Sequence, residues 1–184
     1  MRNFLEWIMR SNKKDNTVEK RTIKIKPTNI PKFIIPLSVM NTTKRALRVA
    51  GRNGVEGLVF WSGVIGEGDV AFIKRAIVPS RLMASRVHAT ITEKDLNEIY
   101  CTLRSHNEFL LAQVHSHPGA AFHSDTDDEN AISFKKGFIS IVVPFFGQVP
   151  FADLSQCKVY EYDGGQIWKA LSRNEQTSRF KIVN

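Results

Sequence analysis

Residues 109–119, FLLAQVHSHPG, constrain this chain most, because an apolar run of strand length leads directly into two histidines spaced i and i+2. A strand this continuously apolar is covered on both faces, so it belongs in the middle of a sheet with helices packed around it. In extended backbone, positions i and i+2 project from the same face, roughly 6–7 Å apart along the chain. His115 and His117 can therefore aim at one ion. Pro118 cannot donate to a ladder and Gly119 permits a sharp change of direction, so the strand ends there.

The rest of the chain alternates helical and extended patterns. LSVMNTTKRALRVAGRNG reads as a helix stopped by Gly51 and Gly54. EGLVFWSGVI and VAFIKRAIVP are β-rich runs separated by the turn former GEGD and should make a hairpin. Thr92 caps a helix through EKDLNEIYCTLRSHN, with Asp95 three residues on. FISIVVP is a further strand, and KVYEY and QIWKAL, joined by DGG, form a second hairpin. NFLEWIMR suggests one or two helical turns, and TIKIKP a short strand. The sum is an α/β chain with several antiparallel pairs.

At 184 residues and 42% apolar content the chain fits a single domain with terminal additions. We divide it into a basic N-terminal arm, 1–26, a folded domain, 27–172, and a C-terminal tail, 173–184. The net charge of +8 is uneven, since residues 1–26 hold eight Lys or Arg against three acids. Such an arm suits an anionic partner, and equally a solvated terminus. No reading helix or aromatic RNA-binding pattern accompanies it, which argues against nucleic-acid binding. No apolar run reaches the roughly 18 residues of a membrane span, and the opening lacks a cleavage site, so a cytoplasmic protein is expected. The two cysteines are far apart and show no metal or disulfide spacing. Cys101 is expected in the core, and Cys157 is a weak candidate for a thiol role.

Beyond the histidine pair, Ser124 reads as a helix N-cap with Asp127 three residues later. Alone, that pattern is an ordinary cap. After His-x-His, Asp127 becomes a candidate third ligand, and two histidines with one carboxylate leave a position open for water, as in catalytic zinc sites. His123 reads as an exposed loop residue, and His88 and His106 have no ligand-spaced partner. Asp125, Asp127 and Glu129 alternate like a calcium loop but lack its glycine and its final acid.

The segment His115-Ser116-His117-Pro118 followed by Ser124-x-x-Asp127 resembles the signature of the JAMM (JAB1/MPN/Mov34) zinc metalloproteases. That family also carries an upstream glutamate at the start of a strand with glycine seven residues on, a description that Glu56 and Gly63 meet. The resemblance spans roughly residues 50–150. Six residues separate His117 from Ser124 where the family commonly has seven, which keeps Asp128 as an alternative ligand. About ten residues lie between the motif and FISIVVP, similar to compact prokaryotic members encoded beside bacterial ubiquitin-like conjugation enzymes.

The resemblance implies an MPN-type, cytidine-deaminase-like fold with a mixed, largely antiparallel sheet flanked by helices. It implies Zn2+ held by His115, His117 and Asp127, with Glu56 as general base and Ser124 as oxyanion donor. The implied activity is an isopeptidase or peptidase cleaving after the C-terminal tail of ubiquitin or a ubiquitin-like protein. Partners would be that protein, its conjugates, and operon-encoded activating and conjugating enzymes. The alternatives are a non-catalytic MPN-type binding module, or a peptidase for cell-wall peptides or sulfur-carrier conjugates.

Overall fold

The computed structural model describes residues 30–80, 83–84, 89–122, 131–133, 135–148, 153–165 and 167–184, with strand backbone alone at 83–84 and 89–90. The expected elements at residues 3–10 and 22–27 and the basic arm lie outside these. Ten strands and three helices follow one another along the described residues. β1 (Lys32–Pro36) leads into α1 (Leu37–Arg52), and β2 (Leu58–Ile65) and β3 (Val70–Ile77) come next. The short β4 (Met83–Ala84) and β5 (Ala89–Thr90) precede α2 (Glu93–Ser105). β6 (Phe109–Ser116), β7 (Ile139–Val143), β8 (Lys158–Tyr162) and β9 (Trp168–Ala170) complete the middle of the fold. α3 (Arg173–Arg179) and β10 (Phe180–Val183) close it.

Eight strands form one sheet in the order β10-β1-β3-β2-β6-β7-β8-β9, and among the described residues β4 pairs with β5 alone. Four of the seven pairings in the large sheet are antiparallel: β2–β3, β2–β6, β7–β8 and β8–β9. The mixed, largely antiparallel α/β architecture is the one expected. β6 lies at the centre, with every residue from Leu110 to Ser116 buried. The alternation of β2 sends Val59 and Trp61 into the core under α1, with Met40 and Leu47. Phe60 faces the opposite core, with Leu96, Ile99 and Leu103 of α2. Helices thus cover both faces. Trp61, fully buried, donates from Nε1 to Thr43 Oγ1 at 2.8 Å, so its one polar atom is satisfied.

Local chemistry explains most boundaries. Thr92 and Asp95 form a reciprocal capping box at the start of α2, as the spacing predicted. α1 runs through Gly51 and stops at Arg52, with Gly54 at φ +70° completing the exit. Gly51 stays inside the helix because a side chain there would strike Phe146.

Two expectations change, and one strand was not foreseen. The segment 173–184, read as a tail, contributes α3 and β10, and β10 pairs in parallel with β1 through Phe33–Phe180. Their rings stack at 4.8 Å. β1 itself was not anticipated, because KFIIP is short and ends in proline. Cys101 is exposed rather than core: it lies on the face of α2 opposite Ile99 and Leu103, which are buried.

Among the described residues, no helix is long and apolar enough to cross a membrane.

Candidate metal centre

The antiparallel pairing of β2 with β6 decides where the motif residues meet. Leu58 stands opposite His115, so the residues just before β2 come to lie beside those that end β6. Glu56, fifty-nine positions before His115, is thereby brought to the histidine pair. Its Oε1 lies 3.9 Å from His117 Nε2. The His115 and His117 rings are 5.1 Å apart between centroids, inclined by 51°. All three residues are at least nine-tenths buried.

Two short bonds fix this approach. Ser116 N–H donates to Gly57 C=O at 3.0 Å, and Gly57 N–H donates to Ser116 Oγ at 3.0 Å. Ser116 lies between the histidines, and this reciprocal clasp holds the residue next to Glu56. The motif reading overlooked it, although period-two alternation makes the residue between two same-face histidines turn the other way. His117 N–H donates to Val143 C=O at 3.0 Å, which anchors the second histidine to the parallel neighbour β7.

Gly63, seven residues after Glu56, is required by packing. It sits where the β2–β3 register shifts, and a Cβ there would collide with the carbonyl oxygen of Phe72. Beside it, Glu108 is buried and accepts from Ser62 Oγ at 2.7 Å, while Arg75 Nε stands 3.1 Å from its other oxygen. This pair closes the end of the β2–β6 ladder away from Glu56.

A third feature borders the histidines. Beyond β7 the chain makes a 3-10 turn, Phe145–Gly147, in which φ is +52°, +54° and +67°. Left-handed backbone at the two phenylalanines costs about 1–2 kcal/mol each. Phe146 N–H donates to His117 C=O at 2.7 Å, and Phe145 N–H donates to Gly119 C=O at 2.9 Å. Arg48 of α1 grips the far side, donating from Nε to Gly147 C=O at 2.9 Å. Phe122 lies against His117 edge-on, with ring centroids 4.9 Å apart.

Ser124, Asp127 and the alternative ligand Asp128 lie outside the described residues, as do His88 and His123. Accordingly, no group of three metal-ligating side chains is complete among the described residues. The part that is described suits a divalent ion. Two neighbouring buried imidazoles supply a nitrogen donor pair appropriate to zinc and related first-row metals, with the Glu56 carboxylate beside them. His106 is exposed, its Nδ1 2.9 Å from Thr102 C=O at the end of α2, away from any such role. Cys157 is buried, and burial pushes its thiol far above the ordinary range, which removes it as a nucleophile.

Comparison with known proteins agrees with this geometry. The chain is 33% identical over 154 residues to a probable metalloprotease, y4jG, of Sinorhizobium fredii, covering 82% of this chain and 93% of that protein. Given that identity and coverage, and the Glu56–His115–His117 arrangement, the chain belongs to the JAMM (JAB1/MPN/Mov34) metalloprotease family. Its fold is shared with a protein of Desulfitobacterium hafniense whose solution structure superposes with a TM-score of 0.62 at 16% identity, covering 82% and 92% of the two chains. A crystal structure of a JAB1/MPN domain protein from Archaeoglobus fulgidus gives a TM-score of 0.45 at 18% identity, covering 83% and 98%. No family model matches the chain.

Proposed function

We propose that this metalloprotease is a zinc-dependent peptidase or isopeptidase that cleaves after the C-terminal tail of a ubiquitin-like protein. The observation that carries the hydrolytic part is the buried Glu56 carboxylate 3.9 Å from His117, beside a second imidazole. A carboxylate brought so close to a histidine pair from another strand has the position a general base needs.

In this reading His115, His117 and Asp127 hold the ion, with Asp128 the substitute for Asp127. When bound, zinc supplies Lewis acidity, which brings the pKa of water down toward about 7. Glu56 takes the proton of the attacking water and returns it to the leaving amine, so one carboxylate serves as base and then acid. Ser124 Oγ–H donates to the oxyanion that forms on the scissile carbonyl. Loss of such a donor typically costs about 2.7–4 kcal/mol of transition-state stabilisation. Ser116 touches no reacting atom in this scheme. It is a positioning residue, acting through Gly57 on the placement of Glu56.

The ubiquitin-like substrate is supported by the motif's resemblance and by burial of the site, which suits a narrow extended tail better than a folded surface. The site strands β2, β6 and β7 are each paired on both sides, and the sheet edges β10 and β9 lie three and two strands away. A bound tail therefore has no edge of the large sheet to extend at the site.

The test is incubation of the purified full chain with fusions of candidate ubiquitin-like proteins, with and without chelator, and mass spectrometry of the products. Cleavage directly after the modifier's last residue, abolished by chelator and restored by zinc, is expected. Cleavage elsewhere, or cleavage indifferent to chelator, overturns the proposal.

A further inference from the structure

We propose that the left-handed turn Phe145–Gly147 is a substrate platform, on which the exposed Phe145 receives an apolar side chain of an extended peptide beside the scissile bond. The inference deepens the peptidase reading and rests on it. Three observations meet here. First, the turn lies at the carboxyl ends of the adjacent parallel strands β6 and β7, the position where open α/β sheets take their ligands. His117 leaves the same end, and the backbone of the turn is bonded to His117 and Gly119 directly.

Second, the two phenylalanines are treated differently. Phe146 is tucked against α1 where Gly51 carries no side chain, with its carbonyl oxygen 2.8 Å from the place a Cβ would occupy. Phe145 is left 50% exposed, and Phe122, whose ring touches His117, is 54% exposed. Two large apolar side chains thus stand in water near the histidines, Phe122 against the His117 ring and Phe145 on the turn bonded to Gly119. Third, phenylalanine stands at 145 although a glycine or asparagine there would adopt the left-handed conformation more readily. Strained backbone clusters at active sites and ligand clamps, where it helps hold a side chain toward a ligand.

The chemistry of the occupant follows. Phe145 offers no hydrogen bond or charge, so it selects for apolar side chains and against acidic ones. The test measures equilibrium binding of fluorescein-labelled Gly/Ser peptides carrying a single Leu or a single Asp to the zinc-loaded full chain, by anisotropy. It uses Glu56→Gln as parent, so that no peptide is consumed. The Leu peptide should bind roughly tenfold tighter, the size expected for burying one such side chain. Phe145→Gly in that background should reduce the difference to about twofold or less with the melting temperature unchanged or raised. Phe145→Leu should retain most of it. No preference in the parent, a preference unaffected by Phe145→Gly, or a lower melting temperature in that variant would each overturn the platform. Cleavage of ubiquitin-like fusions by the unsubstituted protein is scored separately. Preference without that cleavage leaves Phe145 an apolar-peptide site but removes the peptidase reading and with it the role of substrate platform, while cleavage without preference keeps the peptidase reading and removes the platform.

Discussion

Ser116 illustrates how much a single residue contributes to the position of Glu56. Its hydroxyl accepts the Gly57 N–H inside the protein, and no described alternative acceptor is bonded to that group. Ser116→Ala strands a buried donor, at a cost of about 1–3 kcal/mol. The expected outcome is a lower melting temperature and a reduced kcat with zinc content unchanged, read by thermal denaturation, kinetics and metal analysis. A loss of zinc in parallel with activity would contradict a role confined to the glutamate. The cysteines give a second residue-scale prediction. Alkylation of the native protein should label exposed Cys101 and spare buried Cys157, whose thiol burial holds in the protonated form. Labelling at Cys157 first would contradict its placement.

Gly63 and α3 carry predictions at the level of elements. Gly63 lets β2 and β3 approach at the bulge that ends the straight run from Glu56, and Gly63→Ala should destabilise by about 1–3 kcal/mol through overpacking. Denaturant titration checks this, and an unchanged midpoint would show that the strands part more easily than their contact implies. In α3, hydrogen bonds from the Ser172 hydroxyl and N–H hold the Glu175 carboxyl at about 2, below its ordinary 4.5. A depressed carboxylate stabilises the folded form above its ordinary pKa, and that contribution is lost as pH falls from about 4.5 toward about 2. Amide-exchange protection of α3 should therefore decline over this acid window, and Ser172→Ala should remove that dependence. The capping box was legible as a pattern only where a long helix followed it, as at Thr92. At Ser172 the helix is seven residues, too short for its periodicity to stand out.

Across the whole molecule, the fold closes through its last residues. Arg179 donates to both oxygens of Glu161 at 2.9 Å and to Ile30 C=O at 2.8 Å, joining α3 to β8 and to the start of the sheet. Arg179→Ala should cost roughly 1.5–3 kcal/mol, measured by chemical denaturation. An unaltered midpoint would show that β10 holds its place without the bridge. This closure was not readable beforehand, because pairing of β10 with β1 joins residues about 150 positions apart and neither strand exceeds five residues. The central elements were readable because their signals are local: a continuous apolar run for β6, a glycine-rich turn between β2 and β3, and periodicity for α2. The meeting of Glu56 with the histidines was visible only through the family motif. Spacing along the chain says nothing about which strands pair, and the β2–β6 register decides it. Phe145 gave no signal at all, since positive φ in a phenylalanine is imposed by its surroundings.

The central claim, that Glu56 and the two histidines form one hydrolytic metal centre, is tested most directly by comparing the unsubstituted chain with Glu56→Gln for zinc content and for cleavage of the same ubiquitin-like fusion. Zinc should bind equally well to both, while cleavage by the variant falls by about 10²–10⁴-fold. Undiminished cleavage by Glu56→Gln, or a failure of either protein to bind zinc, would contradict it.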